Sequence, residues 1–168
     1  YGYFNLYNLL AAIAAADMLQ AASLEDIAEV VPNFAGVSGR MEVVSTEPLV
    51  IVDFAHTPDG MDKILDALKD KKLFVLFGAG GDRDRDKRPL MGKVASRYAD
   101  KIVLTSDNPR SEAPKEIISD IQKGVDTAKL VHVNEDRYKA LEFSLMRLQE
   151  DEVLVVLGKG DESHQEIA

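Results

Sequence analysis

The chain has 168 residues, 46% of them hydrophobic, so one sizeable core can be buried without a staple. It contains no cysteine, which excludes disulfides and thiolate metal sites and fits a reducing compartment. A net charge of −9 argues against nucleic acid or an anionic membrane as partner, no apolar run approaches the roughly 20 residues of a membrane span, and no signal peptide is visible.

Leu6, Leu9, Leu10, Ile13 and Leu19 recur at helical spacing through an alanine-rich stretch, which predicts a helix from near Asn5 or Asn8 to near Ala22. Ser23-Leu24-Glu25-Asp26 reads as a capping box opening a short helix to about Val30. Pro32-Asn33-Phe34-Ala35-Gly36 breaks it, and a domain boundary is placed there: 1–36 holds two helices with too few partners for a core, and 37–168 is the main domain. The start at Tyr1-Gly2-Tyr3-Phe4 without Met, and the end at Ile167-Ala168 soon after a glycine-rich loop, both read as cuts through a longer protein.

After Gly39 the pattern alternates. Strands are predicted at about 41–45, 49–53, 73–77, 101–105, 130–133 and 153–157, and helices at about 58–70, 89–99, 114–124 and 135–149. Only Thr46-Glu47-Pro48 joins the first two strands, so they form a hairpin. The rest is repeated βα. The expected fold is therefore α/β: a Rossmann-like, mostly parallel six-stranded sheet with an N-terminal hairpin strand and helices on both faces.

In an open α/β sheet, ligands bind beyond the carboxyl ends of the strands. Four predicted strand ends carry polar clusters: Asp53-Phe54-Ala55-His56-Thr57-Pro58, Gly78 through Arg83, Asp107-Asn108-Pro109-Arg110, and Gly158-Lys159-Gly160-Asp161-Glu162. The third is the most informative. Arg110 can hold a carboxylate with two parallel hydrogen bonds, and a nearby acid can hold an ammonium. A ligand bearing both charges, such as an amino acid, fits.

Gly78-Ala79-Gly80 begins like a dinucleotide fingerprint, but Arg83 stands where the third glycine belongs and a charged loop follows. It reads as a loop whose backbone approaches a ligand, with Arg83 facing an anion; a solvated charge run and a nicotinamide-dependent dehydrogenase are the alternatives. His56 precedes Thr57-Pro58, an N-cap and N1 pair, and reads equally as a base, a nucleotide contact or a structural residue. Asp53 suits ribose hydroxyls or a turn. His132 and His164 stand alone and are read as non-ligands. No GxSxG, HExxH or GxxxxGK[ST] pattern occurs.

Taken in order, these clusters resemble the C-terminal part of the Mur ligase family, and within it the members that add meso-diaminopimelate to UDP-N-acetylmuramoyl-L-alanyl-D-glutamate in peptidoglycan synthesis. The resemblance is carried by Phe4-Asn5-Leu6-Tyr7-Asn8, Gly39-Arg40-Met41-Glu42, Asp53 through Asp59, Gly80-Gly81-Asp82-Arg83-Asp84, Lys87 through Gly92, Asp107 through Arg110 and Gly158 through Glu162. It implies that Arg110 reads the distal carboxylate that lysine lacks, in a pocket with Arg83, Asp107, Asn108, Pro109, Gly158 and Glu162, the last answering the distal ammonium. It implies ATP between an upstream domain and this one, with Asn5 and Asn8 on the adenine side, Arg40 near the phosphates, Asp53 and His56 near ribose and phosphate, and Mg²⁺ bound mainly upstream. The implied reaction phosphorylates the D-glutamate carboxylate and lets the diaminopimelate amine attack the acyl phosphate, in the bacterial cytoplasm. No catalytic residue is assigned within this chain. The family's P-loop and UDP-sugar domain would lie upstream of Tyr1, so the chain is not expected to ligate alone. Asp161 stands where relatives often carry His, and Phe54 where Tyr is common. The alternatives are a non-catalytic amino-acid or nucleotide-binding module, and a ligase of the same family adding another amino acid.

Overall fold

A computed structural model describes residues 3–167; Tyr1, Gly2 and Ala168, where the reading placed the cut ends, lie outside the described residues. The first helix, α1 (Tyr3–Met18), stops short of Ala22 because Gln20 turns left-handed (φ 53°) and the Ala21 N–H reaches back to the Ala16 carbonyl. α2 (Leu24–Val30) opens on the expected capping box: Ser23 accepts from the Asp26 N–H while the Asp26 carboxylate accepts from Ser23. Pro32 does not end the helical path at once. It sits in a 3₁₀ turn, Val31–Asn33, where its missing N–H is tolerated at the first turn.

The strands are β1 (Glu42–Thr46), β2 (Leu49–Asp53), β3 (Lys72–Phe77), β4 (Lys101–Thr105), β5 (Leu130–Asn134) and β6 (Glu152–Leu157). The helices between them are α3 (Pro58–Asp66), α4 (Lys87–Tyr98), α5 (Pro114–Gln122) and α6 (Arg137–Arg147). One six-stranded sheet runs β1-β2-β6-β3-β4-β5, with β1 antiparallel to β2 and every other pair parallel. α3, α5 and α6 end two to four residues earlier than their apolar spacing suggests, and α4 one; α3, for example, closes at Ala67, whose N–H bonds the Lys63 carbonyl.

Strand alternation divides the core between the two faces. Leu73, Val75 and Phe77 of β3 join Met61, Leu65, Met91, Ala95, Ile117 and Ile121 under α3, α4 and α5. Phe74 and Leu76 turn the other way and meet Val50, Val103, Ala140 and Leu154 under α6. Helices thus cover both faces, three on one side and one on the other. Both buried clusters are drawn from residues after Gly39, and α2 buries none of its own.

Candidate functional site

Parallel pairing puts the carboxyl ends of β2, β6, β3 and β4 side by side on one edge, and these are the four strands whose ends carry the polar clusters. The glycines after β3 serve this crowding. A Cβ on Gly78 would lie 2.3 Å from the Thr105 carbonyl oxygen, and one on Gly81 would lie 1.9 Å from the Pro109 oxygen. Gly81 also donates its N–H to the Asn108 carbonyl (2.9 Å). The close approach read from these glycines is made to the backbone of the Thr105–Pro109 segment.

Asp107, Asn108 and Pro109 are buried just past β4. Asp107 Oδ1 accepts the Asn108 N–H (2.7 Å), while its buried Oδ2 has no partner among the described residues. That oxygen faces Gly158 after β6, which adopts φ 107° and whose Cβ, had it one, would stand 2.5 Å away. The Asn108 amide ties the two strand ends together. Its Nδ2 donates to Glu162 (2.9 Å), and its Oδ1 accepts from the Lys159 ammonium (2.8 Å) and the Glu166 N–H (3.0 Å). Lys159 also meets Glu162 at 2.7 Å, and this bond is the main reason the Glu162 carboxyl titrates below the usual range.

Arg110 is left-handed (φ 51°) and is held by the backbone. Its Nη1 donates to the Gly81 oxygen (3.0 Å) and, more weakly, to the Asn108 oxygen (3.5 Å). Its Nε lies 2.6 Å from the Glu166 carboxylate. Segment 165–167 runs beside it: Gln165 donates to the Asp107 carbonyl (2.6 Å), and the Arg110 N–H bonds the Glu166 carbonyl (3.0 Å). A cavity of about 610 Å³ opens next to it, lined by Ser106, Pro109, Glu112, Glu135, Gln165 and Ile167 among others.

Not all of the charged loop after Gly81 is solvated. Arg83 is exposed, donating only to the Asp82 carbonyl (3.3 Å) among the described residues, but Arg88 has no exposed surface. Arg88 grips both Glu112 oxygens (2.8 and 3.0 Å) and reaches Asp120 (3.0 Å). The Arg88 bonds hold the Glu112 carboxyl at about 2. Glu112 also accepts the Asp82 N–H (2.7 Å), so this pair ties the glycine loop to the segment after Arg110.

At the end of β2, Arg40 lies over the Phe54 ring (4.2 Å), and the His56 ring meets Phe54 edge-on (4.9 Å). Lys87 donates to the His56 carbonyl (3.1 Å), and burial lowers its ammonium pKa. Asp53 makes the turn that was one of its two readings. It is 5% exposed, its two oxygens accept the Met41 N–H (2.8 Å) and the Ala55 N–H (2.7 Å), and it pins the chain around β2. Asn5 is half-buried and Asn8 exposed on α1, which lies outside both sheet cores. His132 stacks on Phe143 (4.1 Å), in keeping with a packing role.

Three contributors escaped the sequence reading. Lys159 lay inside a quoted motif but was given no task. Glu166 follows that motif. Arg137 opens α6, is largely buried, and donates to the Ser106 oxygen (3.2 Å) and the Leu157 oxygen (2.8 Å), the carbonyls just before Asp107 and Gly158. Nothing in the local pattern around Arg137 signals that reach. Among the described residues, no three carboxylate or imidazole groups converge in a way that could hold a metal ion.

The family model "Mur ligase, glutamate ligase domain" matches residues 39–160. The chain is 56% identical over 165 residues to a UDP-N-acetylmuramoyl-L-alanyl-D-glutamate--2,6-diaminopimelate ligase of Helicobacter hepaticus, covering 98% of this chain and 36% of that one. It is 53% identical over 164 residues to the protein of the same name from Helicobacter pylori, covering 98% of this chain and 37% of that one. A solved structure of a ligase of that name superposes with a TM-score of 0.73 at 42% identity, over 99% of this chain and 35% of the other. The chain thus spans a little over a third of the length of these relatives. The matched span holds all six strands and reaches each of the four polar ends, and on that ground the chain belongs to the Mur ligase family.

Proposed function

We propose that this chain is the amino-acid-binding part of an ATP-dependent ligase that adds meso-diaminopimelate to UDP-N-acetylmuramoyl-L-alanyl-D-glutamate in bacterial peptidoglycan synthesis. One observation carries this reading. Two opposite charges stand past the end of β4: a guanidinium fixed by backbone carbonyls at Arg110, and a buried carboxylate oxygen at Asp107 that has no partner among the described residues and faces the bare Cα of Gly158. An amino acid's ammonium and carboxylate answer that pair. The relatives' names supply the particular amino acid.

On this reading Arg110 takes the distal carboxylate of diaminopimelate, with exposed Arg83 nearby across Gly80. Glu162 takes the distal ammonium, while Asp107, Asn108, Pro109 and Gly158 shape the pocket. The work of this chain is orientation: it holds the amine where it can attack an activated carboxyl group. ATP, when bound, supplies that activation, and Mg²⁺ offsets its phosphate charge. The Arg40, Phe54 and His56 cluster suits a nucleotide, offering a cation and ring faces at one strand end. Asn5 and Asn8 are assigned to the adenine side. Asp53 enters as a positioning group. Mg²⁺ is assigned mainly to upstream sequence, as the family resemblance implies. Residues 1–36 are assigned to the end of that upstream domain. With no P-loop pattern of its own, the isolated chain is expected to bind without turnover.

The test is ligation by the full-length protein with diaminopimelate against lysine. Diaminopimelate should be strongly preferred, and Arg110→Ala should reduce its kcat/KM by about ten- to two-hundredfold, from the roughly 1.5–3 kcal/mol of a charged hydrogen bond. Equal use of both amino acids by the unaltered protein would sink the reading.

A further inference from the structure

We propose that Glu166 is an internal competitor at the amino-acid site: its carboxylate pairs with Arg110 and must leave before a substrate carboxylate can bind there in two-point fashion. The inference rests on the reading of Arg110 as the substrate-carboxylate contact.

The argument is geometric. A guanidinium offers two edges for bidentate capture, Nε with Nη2 and Nη1 with Nη2. In this site Nη1 is committed to the Gly81 and Asn108 carbonyl oxygens (3.0 and 3.5 Å), which have no reason to release it. The remaining edge is blocked at Nε, 2.6 Å from Glu166 Oε2. Among the described residues Nη2 makes no hydrogen bond, so one nitrogen is open and neither edge is complete. Two-point recognition therefore requires Glu166 to move.

Charge gives the same answer. One guanidinium cannot neutralise two carboxylates, and like charges at such spacing repel. Glu166 is free to move, because its side chain is 51% exposed against 24% for Arg110. Its backbone stays anchored meanwhile, through its N–H to Asn108 and its carbonyl to the Arg110 N–H (both 3.0 Å). The opposite pole of the site is filled in the same manner, with the Lys159 ammonium on Glu162 at 2.7 Å. An amino acid carrying a distal carboxylate thus exchanges ion pairs. One lacking it leaves Arg110 with Glu166.

The experiment uses Glu166→Gln and Arg110→Met, singly and together, in the full-length protein, with steady-state ligation of meso-diaminopimelate and of L-lysine and a melting temperature for each variant. Glu166→Gln keeps the backbone anchors and should lower the KM for diaminopimelate roughly three- to fivefold, the range of a partly exposed ion pair. The KM for lysine should not move, and the gain should vanish in the Arg110→Met background. A KM that is unchanged or raised by Glu166→Gln, while Arg110→Met raises it, overturns the exchange and leaves the amino-acid reading standing. A KM indifferent to Arg110→Met overturns both.

Discussion

Arg88 shows how much a single side chain can do out of sight of the ligand. It is a fully buried cation whose partners lie 24 and 32 residues away, and it links the glycine loop, the segment after Arg110 and α5. Removing one partner from such a pair leaves a buried charge uncompensated. Glu112→Gln should therefore cost about 3 kcal/mol in a urea titration, and Arg88→Met at least as much, since it strands both Glu112 and Asp120. The pair also sets an acid limb. The Glu112 carboxyl lies at about 2 in the folded protein against 4.5 for a free one, so its stabilisation is complete above about pH 4.5 and fades as the pH falls toward 2. Urea midpoints measured between pH 5 and 2.5 should decline, and Glu112→Gln should decline less. None of this was legible in the sequence. Arg88 ends a run of alternating charges, which reads as solvent-facing until the fold brings Glu112 and Asp120 to it. Asp107 to Arg110, by contrast, was legible, because Pro109 and the charges beside it follow directly on an apolar strand.

At the scale of the elements, the β-rich runs fixed all six strands to within a residue at either end, since a buried parallel strand is an almost unbroken apolar word. Helix ends were harder. The apolar period of α3 continues past Asp66 into a turn, and α1 closes on Gln20, a residue with no reputation for left-handed backbone. The loop after β6 was legible as glycine-rich and as part of the pocket, but its close packing on Asp107 was not. Gly158 combines φ 107° with a 2.5 Å approach to Asp107, so any side chain meets strain and a clash together. Gly158→Ala should cost about 1–3 kcal/mol and raise the KM for the amino acid, as read by thermal melting and by initial rates of the full-length protein. Gly36→Ala is the control for backbone strain alone, because its left-handed φ of 93° faces nothing within 4 Å.

For the whole molecule, both buried clusters begin at Met41 or later, so α1 and α2 lie outside the cores. A chain starting at residue 37 should melt as cooperatively as the 168-residue chain, with a midpoint within a few degrees by circular dichroism. A lost transition would show that the first helices complete a core after all. The order of the sheet has a further consequence, for synthesis. β2 and β3 do not pair; each pairs with β6, the latest in sequence of the six described strands, and β6 sits between them. Until residues 152–157 leave the ribosome, the nascent sheet is two pieces with raw facing edges, a hairpin of β1 and β2 and a ribbon of β3, β4 and β5. Such edges invite pairing with other chains. The same late strand delivers Gly158 and Glu162, so a chain interrupted before it would lack binding surface and closed sheet alike, and would be a natural target for chaperones and proteases.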